Sequence, residues 1–255
     1  KRQQQGTDNT VGRQPLNDTG ITWSGDYISG NNSSCVSSTT SYGDNVVAAQ
    51  DCSHGRDADH DDDSDGHAGF SFTKLDSDGQ PLTDQNADYT STLWACVQDN
   101  VTGLIWEVKT DDSGLHDKDD KYTWYNDDGN TNGGFNGYAD QGRDNCFGYE
   151  SGNPPTYCNT QYYVNRVNAT GWCGASDWRM PTRKELESLV AYNRNNPSID
   201  TNYFPPAVSS SVWSGSPDAY NTNYAWSVSF GNGLSSSDQQ YRSGSYAVRL
   251  VRSEQ

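Results

Sequence analysis

The stretch AYNTNYAWSVSFGNGLSSSDQQYRSGSYAVRLVRS, residues 219–253, decides how the fold is read, because two strand patterns in it bracket a run of Ser, Asn, Tyr, Gly and Gln. In YAWSVSF, Trp226, Val228 and Phe230 alternate with Ser227 and Ser229, so a period of two turns the large side chains inward and the serines outward. In YAVRLVR the inward positions are Val248 and Leu250. From Ser214 to Tyr246, 20 of 33 residues are Ser, Asn, Tyr or Gly, the mixture of an antibody paratope. Tyr supplies rigid amphipathic contact area at low entropic cost, and Ser, Asn and Gly supply adaptable hydrogen bonds. The expected ligand-binding residues on this 214–246 surface are Tyr220, Asn221, Asn223, Tyr224, Asn232, Tyr241, Arg242 and Tyr246.

Upstream, VWSG at 212–215 adds another short antiparallel strand. Two helices precede it. In MPTRKELESLVAYN (180–193), Thr182 and Glu185 form a capping box, Leu186, Leu189 and Val190 make the buried stripe, and Asn193 to Pro197 end the helix. In CNTQYYVNRVNATGWCG (158–174), Asn159 or Thr160 caps, Tyr163, Val164 and Val167 recur at helical spacing, and Gly171 is the stop. LWACVQDNVTGLIWEVKT (93–110) turns at Asp99-Asn100 into a strand with Leu104, Trp106 and Val108 on one face and Ile105, Glu107 and Lys109 on the other. Between these lies a Gly/Asn/Asp-rich loop, 110–157, too long to be an idle connection. The expected class is α+β: two helices, short antiparallel strands and long loops over 93–255. A flexible arm (1–20) and a small β- and loop-rich acidic section (21–92) come before it, the latter carrying GITWSGDYI, NVVAAQDC and FSFTKLDSDGQPL.

The 255 residues suffice for a sizeable core. Only 31% are strongly apolar and the net charge is −17, yet 8 Trp, 16 Tyr and 6 Phe exceed what a disordered chain carries. The acidic balance excludes nucleic acid and anionic membrane as partners and leaves cations, sugars and proteins. No window reaches the roughly 18 apolar residues of a transmembrane helix. Lys1 with no apolar leader behind it reads as the start of a mature secreted product.

Six cysteines without a C-x-x-C pair favour disulfides and an oxidising compartment. A helix over 160–169 would hold Cys158 and Cys173 about 15 Å apart. The favoured pairs are therefore Cys35 with Cys52, Cys146 with Cys158, and Cys96 with Cys173, the first two closing loops worth ~3 kcal/mol each.

The acidic run GRDADHDDDSDGHAG (55–69) places Asp61, Asp63 and Asp65 before Gly66, the first half of a calcium loop. The twelfth position is Phe72, so a calcium ion there would have to borrow a distant carboxylate. His54, His60 and His67 could add nitrogen ligands for zinc or copper. Asp111, Asp112, Asp117, Asp119 and Asp120 are a second carboxylate group that could gather around a cation. Calcium is thus the one cofactor this composition suggests. No G-x-S-x-G, H-E-x-x-H or unpaired reactive cysteine appears, which argues against an enzyme. In SDWRMPTRKEL (176–186), Arg179 and Glu185 read as architecture: Arg179 pairs with an acid or a carbonyl and Glu185 completes the cap.

The order of DNVTGLIWEVKT (99–110), YTWYN (122–126), GWCGASDWRMPTRKELESLV (171–190), FPPAVSSSVWSGSP (204–217), YAWSVSFGNG and YAVRLVR resembles the Lcl C-terminal domain family over roughly 93–252. That family, long a domain of unknown function, occurs in secreted and surface proteins of bacteria. The resemblance implies a C-type-lectin-like fold, related to the formylglycine-generating enzyme and to the variable proteins of diversity-generating retroelements. In those variable proteins, residues of the kind seen here at Trp213, Ser214, Trp226 and 248–252 frame a segment diversified to Asn, Ser, Tyr, Asp and Gly, which 219–247 matches. The reactive cysteine pair of the formylglycine-generating enzymes has no counterpart here. The expected function is non-catalytic, adhesin-like recognition of a glycan or protein ligand by a secreted or bacterial cell-surface protein. The alternative is a self-assembling subunit of an extracellular filament.

Overall fold

The computed structural model describes residues 17–26, 30–31, 35, 50–56, 58, 63–237 and 240–253. The expected N-terminal arm and NVVAAQDC lie mostly outside these residues. Strands β1 (Gly25–Asp26) and β2 (Gly30–Asn31) form a small antiparallel pair. The main sheet begins with β3 (Phe72–Leu75), which enters the expected tight turn at Asp76–Gly79. It continues through β4 (Cys96–Asp99) and β5 (Leu104–Glu107). Asp99 shapes the β4–β5 turn, its carboxylate accepting the N–H groups of Val101 at 3.0 Å and Thr102 at 3.1 Å.

After β5 come α1 (Thr160–Thr170) and α2 (Arg183–Glu187). Asn159 caps α1 by accepting the Tyr162 N–H, and Gly171 ends it in the left-handed region at φ 67°. The Thr182–Glu185 capping box is present in α2. This helix is shorter than its sequence pattern, because Leu189, Val190 and Ala191 are all buried in succession, which one helical face cannot achieve. Strands β6 (Ser211–Pro217), β7 (Ala225–Ser229) and β8 (Ser235–Ser236) form a second antiparallel sheet. The chain then returns as β9 (Val251–Ser253), which pairs with β5 and completes the order β3-β4-β5-β9. The class is α+β. Among the described residues no helix is long and apolar enough to cross a membrane.

Strand β5 divides two cores. Trp106 and Val108 pack with Phe72, Val97, Leu186, Phe204 and Val228. Ile105 packs on the other side with Tyr122, Trp124, Tyr163, Trp178, Trp213 and Leu250. The polar face of β5 is buried too, which the sequence pattern did not foretell. The Glu107 carboxylate is fully enclosed and accepts from Lys109 Nζ at 3.1 Å, His116 Nδ1 at 2.8 Å, the Leu250 N–H at 2.9 Å and the Tyr163 hydroxyl. Disulfides join Cys35 to Cys52, Cys96 to Cys173 and Cys146 to Cys158, the three pairs favoured above. The Cys96–Cys173 bond spans 77 residues and ties β4 to the end of α1.

Burial alone would raise the Glu107 carboxyl, but the Lys109 ammonium, His116 and Tyr163 outweigh it and hold the group well below the usual carboxylate range. A carboxylate depressed in the folded state adds stability that is present in full above its unfolded value of about 4.3 and is lost as acid protonates it. Glu107→Gln leaves the buried cations uncompensated and should cost about 3–5 kcal/mol, roughly 6–20 °C in Tm. Thermal scans at neutral pH check the loss. Scans taken down through pH 4 should show a shallower acid decline in the variant than in the parent.

Candidate functional site

The expected recognition residues sit on strand ends and loops whose backbone is fixed from within. Asp218 accepts the N–H groups of Tyr220 at 2.7 Å and Asn221 at 2.8 Å, and Asn221 Oδ1 accepts the Asn223 N–H at 3.0 Å. These Asx-type bonds make 218–224 a self-braced loop. Tyr224 and Tyr241 form an antiparallel bridge, with ring centroids 4.6 Å apart. Tyr220, Asn221, Asn223, Tyr224 and Tyr241 therefore gather at one end of the β6-β7-β8 sheet, with the Tyr220 side chain 99% exposed.

Three expected contact residues are placed otherwise. Arg242 is fully buried: its guanidinium donates to the carbonyls of Tyr224 at 3.1 Å, Asn132 at 3.0 Å and Phe135, and lies 4.1 Å from the Trp124 ring centroid. It is an anchor, not a ligand contact. Burial lowers it to about 10, against the pull of Asp218, so it stays charged near neutrality. Tyr246 is half-buried, edge-on to Trp213 at 4.7 Å, and exchanges backbone hydrogen bonds with Tyr122. Asn232 braces the β7–β8 turn by accepting the Leu234 N–H at 3.2 Å, at the end of β7 away from the tyrosines. Trp226 is only half-buried, with the Arg183 guanidinium 4.2 Å from its ring, while Ser227 is buried. β7 is covered on both faces, so its alternation does not separate core from solvent.

The anchor joins this end to the long loop, whose residues 126–137 the sequence reading did not single out. Gly137, at φ 87°, lets the chain close on Trp124, where a Cβ would stand 2.1 Å from the Trp124 carbonyl oxygen. The closed loop makes one wall of a groove of about 710 Å³. Tyr125, Asp127, Asp128, Val164, Met180 and Pro217 are among its lining residues. Gly215 allows β6 to approach Met180, since a Cβ there would lie 3.0 Å from the Met180 Cβ. On the groove's border Arg179 forms a two-bond ion pair with Glu185, 2.8 and 2.7 Å, as the architectural reading of that motif expects. The signals for this wall were the length and turn-rich composition of 110–157.

The acidic candidates separate. Asp61 and His60 lie outside the described residues. Asp63 accepts from His67 Nδ1 at 2.9 Å and the Ala68 N–H at 3.1 Å, and Asp65 accepts from the Ser71 hydroxyl at 2.5 Å. Of the second group, Asp111, Asp117 and Asp119 bring ligand atoms within 4.8 Å of one another. Lys118 Nζ already bridges Asp111 at 2.9 Å and Asp119 at 2.7 Å. Asp117 receives the N–H groups of Asp112, Ser113 and Asp119, which outweigh burial and keep it below the ordinary carboxylate range. A divalent ion here would have to displace the ammonium.

The profile of the Lcl C-terminal domain matches residues 95–252, which span β4 to β9 and contain both the tyrosine-rich end and the groove. No curated protein and no solved structure matches the chain. By that match, which covers more than half of its length, the chain belongs to the Lcl C-terminal domain family.

Proposed function

We propose that the chain is a non-catalytic, adhesin-like recognition protein, secreted or held at a bacterial surface, that binds a glycan or protein ligand through Tyr220, Asn223, Tyr224 and Tyr241 on a C-type-lectin-like frame. Family membership and three disulfides fit an extracellular or surface protein. The observation that carries the proposal is the convergence of exposed Tyr220 and Tyr241 and half-buried Tyr224 on a base fixed by buried Arg242. A rigid base matters because a contact surface ordered in advance loses less entropy on binding. Exposed rings over a buried frame also suit a surface that tolerates variation, as in retroelement-diversified proteins.

The buried titratable set Glu107, Lys109, His116 and Tyr163 is enclosed and spends its hydrogen bonds internally, which supports binding over turnover. The same reading makes calcium an adjunct that would order the 111–119 loop, where Lys118 already supplies one positive charge.

Replacing Tyr220, Tyr224 and Tyr241 together by Ala should abolish capture on glycan arrays and on panels of immobilised surface proteins, with Tm falling by only a few degrees. Capture that survives the triple substitution overturns the proposal. Arg242→Ala should behave differently, because one buried and two half-buried carbonyls lose their donor at about 1–3 kcal/mol each, for a fall of roughly 6 °C or more. Differential scanning calorimetry on both variants separates the contact residues from the anchor.

A further inference from the structure

The groove beside Pro217 has a chemistry of its own. Its floor is aliphatic and aromatic: Val164 from α1, Met180 ahead of α2, Pro217 at the end of β6, and Trp124. Its charged groups are Arg179, Glu185, Asp127 and Asp128. The first two cancel, because Glu185 takes two bonds from Arg179 and further ones from the Thr182 N–H and hydroxyl. Asp128 stands at the mouth with its carboxylate fixed by the Asn130 N–H at 3.0 Å, the Thr131 hydroxyl at 3.0 Å and the Asn130 amide at 2.9 Å. Asp127 is exposed beside it, its N–H held by Gln161 at 2.8 Å, and its carboxylate has no ion-pair partner among the described residues. A groove of about 710 Å³ with an apolar floor thus carries two carboxylates, while Arg179, its one lining cation among the described residues, is paired with Glu185.

The occupant that complements such a groove has a long apolar stem and a positive tip, which among protein side chains means Lys or Arg. We propose that the groove receives a Lys or Arg side chain of a polypeptide partner, its stem on Met180 and Val164 and its charged head at Asp127 and Asp128. The chain's −17 charge favours the approach of a cationic partner at long range. The choice of a polypeptide rests on the protein-ligand form of the recognition proposed above, because Pro217 leads through Asp218 and Ala219 to Tyr220; the preference for a cation does not.

Met180 is the chain's single methionine, so methyl-¹³C-methionine labelling gives one resonance, and it reports from the groove wall. The probes are blocked pentapeptides of glycine with a central Lys, Arg, norleucine or Glu, together with free spermidine. The Lys and Arg peptides should shift the methyl signal saturably, and the norleucine peptide should bind about fivefold more weakly, the worth of one screened charge pair. Asp127→Asn, at an exposed position where folding is not at stake, should reproduce that loss with the Lys peptide. Raising ionic strength should weaken the Lys peptide and leave norleucine unchanged.

A silent methyl, or equal shifts by Lys and norleucine peptides, overturns the proposal. Spermidine binding more tightly than the Lys peptide overturns the polypeptide assignment. The Tyr220→Ala, Tyr241→Ala variant separates the two readings. A methyl shift that persists when tyrosine-dependent capture has failed leaves the groove standing alone, and capture with a silent methyl removes the groove alone.

Discussion

The Glu107 carboxylate is the interaction on which the rest of the structure depends, because it is where four segments meet out of water. Lys109 follows it just past the end of β5, His116 comes from the long loop, Tyr163 from α1 and the Leu250 N–H from the approach to β9. The neighbouring Arg249 donates to the Glu107 carbonyl and lies 5.0 Å from the Phe204 ring centroid. His116 in turn stacks on Trp172 at 3.8 Å, just past α1. Desolvation takes back much of what such a cluster gains in Coulomb energy. Its effect is selectivity: an alternative packing that moves one member leaves the others buried and unpaired, at a cost large beside a domain's whole stability.

Buried Arg242 repeats the logic beside the candidate surface. Arg242 holds carbonyls from the 126–137 loop and from Tyr224, so one residue sets the height of both walls of the candidate surface. The indoles work alongside it: Trp124 Nε1 donates to the Ser214 carbonyl at 2.9 Å and Trp213 Nε1 to the Tyr122 carbonyl at 2.8 Å. Each of these two indoles therefore also satisfies a backbone carbonyl on a segment distant in sequence. A frame fixed in this way does not depend on the identity of its tips. That independence is the physical requirement for a surface whose outer residues can differ among relatives while the fold persists.

What was legible in the sequence follows from the range of the interactions involved. The capping box at Thr182 and Glu185, the Asn159 cap, the Gly171 stop and the Asp76–Gly79 turn are local chemistry, and each stands where the residues placed it. The gathering of Tyr220, Tyr224 and Tyr241 was legible because composition flagged the segment and strand spacing brought its ends together. Arg242 was misread because an arginine among serines and tyrosines looks exposed, and only the closure of a loop a hundred residues earlier buries it. Trp226 failed for the opposite reason, since Arg183 from α2 covers its ring at what the strand period takes for an inward position. Within 110–157, Tyr122 and Trp124 are core residues in a segment whose turn-rich composition hides them.

The tip itself carries a further constraint. Asp218 and Asn221 have already committed acceptor atoms to the backbone of their own loop, as Asn232 has at its distant turn. On the proposed reading, what this tip offers a partner is mainly the exposed rings of Tyr220 and Tyr241, with Asn223 beside them. Such a surface gains affinity from area and shape more than from a dense hydrogen-bond pattern. If the proposed surface discriminates by charge, that selectivity comes from elsewhere in the molecule. The groove proposed to take a cationic side chain has Asp127 and Asp128 among its lining residues, in the loop that Arg242 clamps. Division of labour between neutral aromatic tips and an acidic groove follows from which side chains the loops had already used to hold themselves in place.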